Sequence, residues 1–352
     1  MELFEKYDVV ILGERDHRDM TQYELIKDII SDSRFIEKVG HVMTEVGVHN
    51  MTERANQVLT TDYPNHDSFY AALLPVLRDA DYTNLWEKTN FGTLLQNIYE
   101  TNRGLPPQRK IKVTFTDVSF SWDQTQNYTH DDYRIFVEEW AGKYRDAIMA
   151  NNAISSLYEI FDGPSERKKA LIIYNRPHSY QHYERSETNY MWAARYIFER
   201  FPGRVANVMI NWLESGRENP EDMLIHKGKW DAAFAVCKNK SIGFDFAGSP
   251  FGRDYFDMYT TPTRETAYKD VYTGFIFYKP IEEWVLSIGH NGFIDNEFWP
   301  EYLRREIINY GKEEDQNSAE KYANDVRIFP RFSPEEMESI RQRIAVYFTL
   351  PE

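Results

Sequence analysis

Four short runs in this chain end in residues that can move a proton or hold a charge. Val9-Val10-Ile11-Leu12 leads into Gly13-Glu14-Arg15-Asp16-His17, and His41 to Thr44 leads into Glu45. Ile111 to Thr116 ends in Asp117, and Ala170 to Tyr174 ends in Asn175-Arg176-Pro177-His178. A strand with several apolar residues in succession is buried on both faces, as in a parallel sheet covered by helices. The polar residues that follow then fall at the sheet's carboxyl edge, where open α/β sheets bind their ligands. Taken singly, each has an ordinary structural use: Glu14, Asp16 or Asp117 can cap the next element, and a lone histidine is more often hydrogen bonded than catalytic. Repetition at four strand ends points to a site.

Two histidines among two or three carboxylates allow two chemistries. In one, an imidazole oriented by a carboxylate is a general base that deprotonates water. In the other, the same groups hold a divalent metal that acidifies a bound water. His178 and His182 share the four-residue spacing that places two imidazoles on one helical face, but Ser179 follows His178, so the general-base Glu of the zinc-peptidase motif is missing. Ser249 in Gly248-Ser249-Pro250 does not complete Gly-x-Ser-x-Gly, and Pro250 has no amide to offer an oxyanion. Neither a dinucleotide-binding glycine motif nor a Walker loop is present.

The elements that must position these residues alternate between strand and helix. Thr21-Gln22-Tyr23-Glu24 reads as a capping box opening a helix after the first strand. Asn50 to Arg103 reads as helical, with a stripe of Tyr70, Leu73, Leu74 and Leu77, and is expected to be an insertion over the sheet's carboxyl edge, walling a pocket. A helix spans about Asp131 to Ile160, another Tyr190 to Phe201, and a fifth strand Val205 to Trp212. Trp230 to Val236, Ser241 to Phe246 and Val271 to Tyr278 read as further strands, with helices at Trp299 to Tyr310 and Pro334 to Phe348. The expected fold is a single α/β domain over residues 1–352, a three-layer α/β/α with a largely parallel central sheet and a helical insertion at 50–103.

Composition narrows the partners. A net charge of −15 argues against nucleic acid or an anionic membrane as the main partner. Cys237 is the only cysteine, so no internal disulfide forms and a cysteine-rich zinc site is excluded. No run approaches the ~20 apolar residues of a membrane span, and the charged first residues do not resemble a signal peptide. A cytoplasmic location is the expectation. The 15% of aromatic residues fits core packing first and stacking on a sugar or macrolactone second.

Gly13-Glu14-Arg15-Asp16-His17, followed by a helix and Val42-Met43-Thr44-Glu45, resembles the opening of the erythromycin esterase-like family. Asn102 to Asp117 with its Leu105-Pro106-Pro107 turn, Arg145 to Asn152, and Ala170 to His178 are similar to later stretches of that family, in order. The short Gly-Glu-x-x-His motif also resembles the wider superfamily of haem-binding ChaN lipoproteins and TIKI metalloproteases. The resemblance implies water-mediated cleavage of an ester or lactone without a covalent serine intermediate. His17 would then be the general base, with Glu14, Glu45 and His178 completing the centre, and no cofactor required. Asp117, Asn175, Arg176 and Asn50 are the candidates for holding a small-molecule ester or lactone. Met20 and Ile26 stand where basic residues are expected, and Asn175 where the family often has a further His, so the reaction class carries over more firmly than a macrolide substrate. The alternatives are a metal-dependent hydrolase using the same residues as ligands and a non-enzymatic binder of haem or a metabolite.

Overall fold

The computed structural model describes residues 1–83, 88–182, 190–214, 217–258 and 265–349. Val9–Glu14 (β1) is buried at every position, as its run of apolar residues requires. His41–Val48 (β2), Lys112–Asp117 (β3), Ala170–Asn175 (β4), Val205–Ile210 (β5), Ile242–Asp245 (β6) and Gly274–Phe277 (β7) join it. They form a seven-stranded sheet in the order β3-β2-β4-β1-β5-β7-β6. All neighbours pair in parallel except β6, which runs antiparallel to β7 at one edge. Parallel pairing places Glu14 opposite Asn175, so the ends of β1 and β4 stand level at the carboxyl edge.

Successive side chains of a strand point to opposite faces, and the two faces carry separate cores. Val10, Leu12, Val42 and Val113 pack under the helices Met20–Ser31, Thr52–Thr60, His66–Asp79 and Lys88–Asn102. Val9, Ile11, Met43 and Ile172 pack under Arg145–Asp162 and Ala193–Arg200. The result is a three-layer α/β/α fold around a mostly parallel sheet.

The segment 50–103, of which 84–87 lie outside the described residues, is largely helical. Its stripe residues Leu73 and Leu77 are buried in the core of the first face, so these helices are a layer of the sandwich. They also meet the carboxyl edge: Asn90 Nδ2 donates to the His17 carbonyl at 2.7 Å, and Ala80, which follows His66–Asp79, accepts from Val48 N at the end of β2 at 2.8 Å.

Two other local readings change. Lys229–Val236 is a helix, although Trp230, Ala232 and Phe234 alternate with less apolar positions as in a strand. Two turns are too short to separate a period of 3.6 from one of 2, and three alanines favour the helix. The helix after β1 begins at Met20 under an Asp19 cap, whose side chain accepts from Gln22 N. Thr21 Oγ1 instead accepts from Val285 N at 3.0 Å. That contact ties the helix to a small antiparallel sheet of Val285–Ile288 (β8) and Arg327–Pro330 (β9). Arg331, just past β9, is thereby carried to Asp16.

Candidate active site

The loop after β1 folds back on itself. Gln22 Oε1 accepts from Arg15 N at 2.6 Å, while its amide donates to the Asp16 carbonyl at 2.7 Å. Tyr23 Oη donates to Glu14 Oε1 at 2.7 Å, deep in the core. These bonds fix the Glu14 carboxylate with its other oxygen, Oε2, 2.9 Å from His17 Nδ1. The opposite ring nitrogen, His17 Nε2, lies 3.7 Å from Glu45 Oε1.

Glu45 reaches this position through a local irregularity. Between β2 and β3 the register passes from Thr44 opposite Phe115 to Val48 opposite Asp117, so β2 has two extra residues. Gly47 makes that possible: its φ is +114°, and a Cβ there would sit 2.5 Å from the Phe115 ring. Such a bulge re-aims side chains at a sheet's edge. Glu45 Oε2 accepts from Asn175 N at 2.7 Å, and Oε1 faces Arg145 Nη2 at 3.3 Å and His178 Nε2 at 3.5 Å.

Around Glu45 the charges close into a network. Arg145 grips Asp117 through Nε (3.0 Å to Oδ1) and Nη2 (2.8 Å to Oδ2). His178 Nδ1 lies 2.7 Å from Asp146 Oδ1, which also accepts from Ala193 N at 2.7 Å, while Asp146 Oδ2 accepts from Tyr190 Oη at 2.7 Å. Burial alone would depress the His178 pKa, but Asp146 and Glu45 outweigh it and hold the imidazole above its ordinary value. Burial would raise Glu45, yet His178, Arg145 and His17 keep its carboxyl below the usual range. Asp146 is held low in the same way, with His178 outweighing burial.

On the solvent side, Arg15, Asp16, His17, Arg18, Asn175, Arg176, Trp212 and Arg331 line a cavity of about 310 Å³. Asn175 Nδ2 donates to the Arg15 carbonyl at 3.1 Å, tying β4 to the motif loop. Arg176 pairs with Glu214 at 3.0 Å and lies against the face of Trp212.

The structure therefore brings Glu14, His17, Glu45 and His178 together, with Asp117, Asn175 and Arg176 around them. Asn50 is placed differently: both ends of its amide bind the Phe120 main chain, at 3.0 and 2.9 Å, clamping the exit of β3. His182 is exposed and His178 sits in a turn, so their spacing has no helical meaning. Ser249 caps the short helix Pro250–Arg253 by accepting from Gly252 N. Among the described residues, no three His, Cys, Asp or Glu side chains converge as a metal-ligand set.

Sequence reasoning missed Arg145 and Asp146 as site residues because it placed them inside one long helix. The chain instead winds more widely over Val137–Lys143, and a new helix starts at Arg145. Both side chains thus leave its first turn toward the carboxyl edge. The adjacent charged pair opening a run that ends in Asn152 was the available signal. Asn152 Nδ2 donates to the Thr116 and Asp117 carbonyls and docks that helix on β3.

No family model matches the chain, and no curated protein matches it in sequence. Its fold is similar to that of a mutant of the erythromycin esterase EreC in an open conformation, with a TM-score of 0.51 at 11% identity over 78% of this chain and 91% of that one. A Bacillus cereus protein (TM-score 0.45, 13% identity, 77% of this chain and 88% of that one) and a succinoglycan biosynthesis protein (0.46, 10%, 79% and 89%) are more distant likenesses. At these identities the likeness to the esterase concerns the fold alone.

Proposed function

We propose that this chain is a hydrolase that cleaves a small ester or lactone by general-base activation of water at His17. The supporting observation is the two-sided setting of that ring: Nδ1 is 2.9 Å from the fixed Glu14 carboxylate, and Nε2 is directed toward Glu45 in a residue that lines the cavity. The Glu14 charge beside Nδ1 favours a proton on that nitrogen, which leaves the Nε2 lone pair to accept. A water lying off the 3.7 Å line between Nε2 and Glu45 Oε1 can donate to both.

In the reaction, that water gives one proton to His17 Nε2 as its oxygen bonds to the ester carbonyl carbon. The tetrahedral oxyanion collapses with cleavage of the acyl C–O bond, and the leaving alkoxide takes the proton back from the imidazolium. Glu14 stabilises that imidazolium while it exists. Arg145 and His178 supply positive charge beside Glu45, near where negative charge develops.

A panel of small esters and lactones tests the proposal. Turnover should follow a single steady rate with no burst of leaving group, because no acyl-enzyme accumulates. Absence of turnover on the whole panel, together with a haem absorption band on titration, would favour a binding protein instead.

A further inference from the structure

A second cavity lies between two helices of the first layer. His66–Asp79 and Lys88–Asn102 each turn one side to the core, through Leu73 and Leu77 and through Leu94 and Leu95. Between other sides of the same helices, and closed by the turn 289–291 after β8, is a cleft of about 560 Å³. Thr89, Thr93 and Gln96 line it at the four- and three-residue spacing of one helical face. Asn90, one step round that helix, instead donates to the His17 carbonyl. The cleft shares no lining residue with the cavity beside His17.

Side chains on three elements fix its shape. The His290 imidazole, 6% exposed, sits in the wall where Gly92 has no side chain, since a Cβ on Gly92 would lie 2.4 Å from His290 Nε2. Tyr70 Oη meets His290 Nδ1 and donates to the Asn291 carbonyl, and Thr89 Oγ1 donates to the Gly289 carbonyl. The turn is thereby tied to both helices. Burial pushes the Tyr70 phenol up to about 12, so it keeps its proton.

The lining sets the chemistry of a ligand. Ala71, Leu74 and Val326 give apolar surface, and the His66 and Tyr70 rings lie nearly parallel, 20° apart. Thr93 Oγ1 spends its proton on the Thr89 carbonyl, which leaves its oxygen to accept, while Gln96 offers both a donor and an acceptor. Asp67 adds a carboxylate, and among the described residues of the lining there is no lysine or arginine. An anion would meet Asp67 without a lasting cation to offset it. A purely apolar molecule would strand the amide and the hydroxyls. Apolar faces and rings interleaved with neutral hydrogen-bonding groups suit a molecule that has a C–H face and several hydroxyls.

We infer that this cleft is a second ligand site, separate from the carboxyl-edge site, and that it takes a neutral sugar. The C–H face of the sugar ring would lie on Ala71, Leu74 and the aromatic rings, with hydroxyls bonded to Asp67, Thr93 and Gln96. A volume of about 560 Å³ is well within the range of small-molecule sites. The inference does not depend on the hydrolase reading.

Titration of the whole chain with glucose, galactose, maltose and cellobiose, followed by calorimetry and ligand-observed NMR, tests it. At least one of these sugars should bind saturably, and glucuronate should bind more weakly than glucose because its carboxylate meets Asp67. Ala71 is exposed on its helix, so Ala71→Trp fills the cleft from outside the core and should abolish binding. Gln96→Ala should weaken binding about tenfold, the loss of a hydrogen-bonding side chain, and carries the test alone if Ala71→Trp does not fold. His17→Ala should bind as wild type does. No saturable binding of any of the four sugars, undiminished binding in folded Ala71→Trp or in Gln96→Ala, or binding lost in His17→Ala would overturn the inference. Glucuronate bound as tightly as glucose would overturn the assignment to a neutral ligand.

Discussion

The inner and outer halves of the carboxyl-edge site are built from similar residues and arranged in opposite ways. Within the inner half, Arg145, Asp117, Glu45, His178 and Asp146 bind one another in a nearly closed ring of charges. In the outer half, His17 lines the cleft and Arg15 carries a donor with no acceptor among the described residues. Charges whose partners lie within the protein hold geometry, and removing one leaves another buried and uncompensated. Charges facing a cavity are available to bind or react. The difference teaches that polar density at a strand end does not by itself mark chemistry; what matters is whether the partners come from the chain or from the cleft.

Breaking the inner ring should have the largest effect on the fold. Arg145→Met leaves Asp117 and Glu45 without their cation and should lower unfolding free energy by about 3–5 kcal/mol, measured by denaturant titration. A loss below about 1 kcal/mol would mean that the ring is less closed than its distances indicate.

A smaller effect is expected where the backbone, not the charge, sets the geometry. Gly47→Ala must place a methyl group against the Phe115 ring at a φ that side chains rarely adopt. It should cost about 1–3 kcal/mol by the same titration. It should also reduce turnover out of proportion to that loss, since Glu45 is held by the bulge.

The smallest expected change concerns pH. The His178 pKa is raised in the folded protein, so its contribution to stability is fully present below the unfolded value of ~6.5 and fades as pH rises through the folded value. Glu45 and Asp146 are lowered, so theirs is present above about pH 4 and fades on acidification. Melting temperature should therefore fall as pH rises above the ordinary histidine value of ~6.5, and His178→Asn should flatten that limb while lowering the plateau. An unchanged limb would place the titration on another group.

Much of the sheet and part of the site could be read from the residues. Val9 to Leu12 and Ala170 to Tyr174 announce buried parallel strands because short apolar runs rich in Val and Ile suit a strand covered on both faces, and their polar ends then share an edge by topology. Partnerships across the chain were hidden. Arg145 and Arg331 reach the site from a helix start and from a second sheet, at positions set by a wide turn and a strand register that leave no local pattern. Asn50 is polar and follows β2, yet its amide matches the Phe120 main chain, a match visible only once β3 is in place. Trp230 to Val236 misled because a two-turn helix presents too few residues to show its period.

The central claim is that His17 transfers the proton, and one measurement addresses it most directly: kcat of His17→Gln on a substrate found in the ester panel, read beside its melting temperature. The account predicts a loss of about a hundredfold or more in kcat with melting unchanged, since His17 stands on the cleft side of the site, outside the closed ring. Full activity in His17→Gln, or an acyl group trapped on a serine of the wild type, would contradict it.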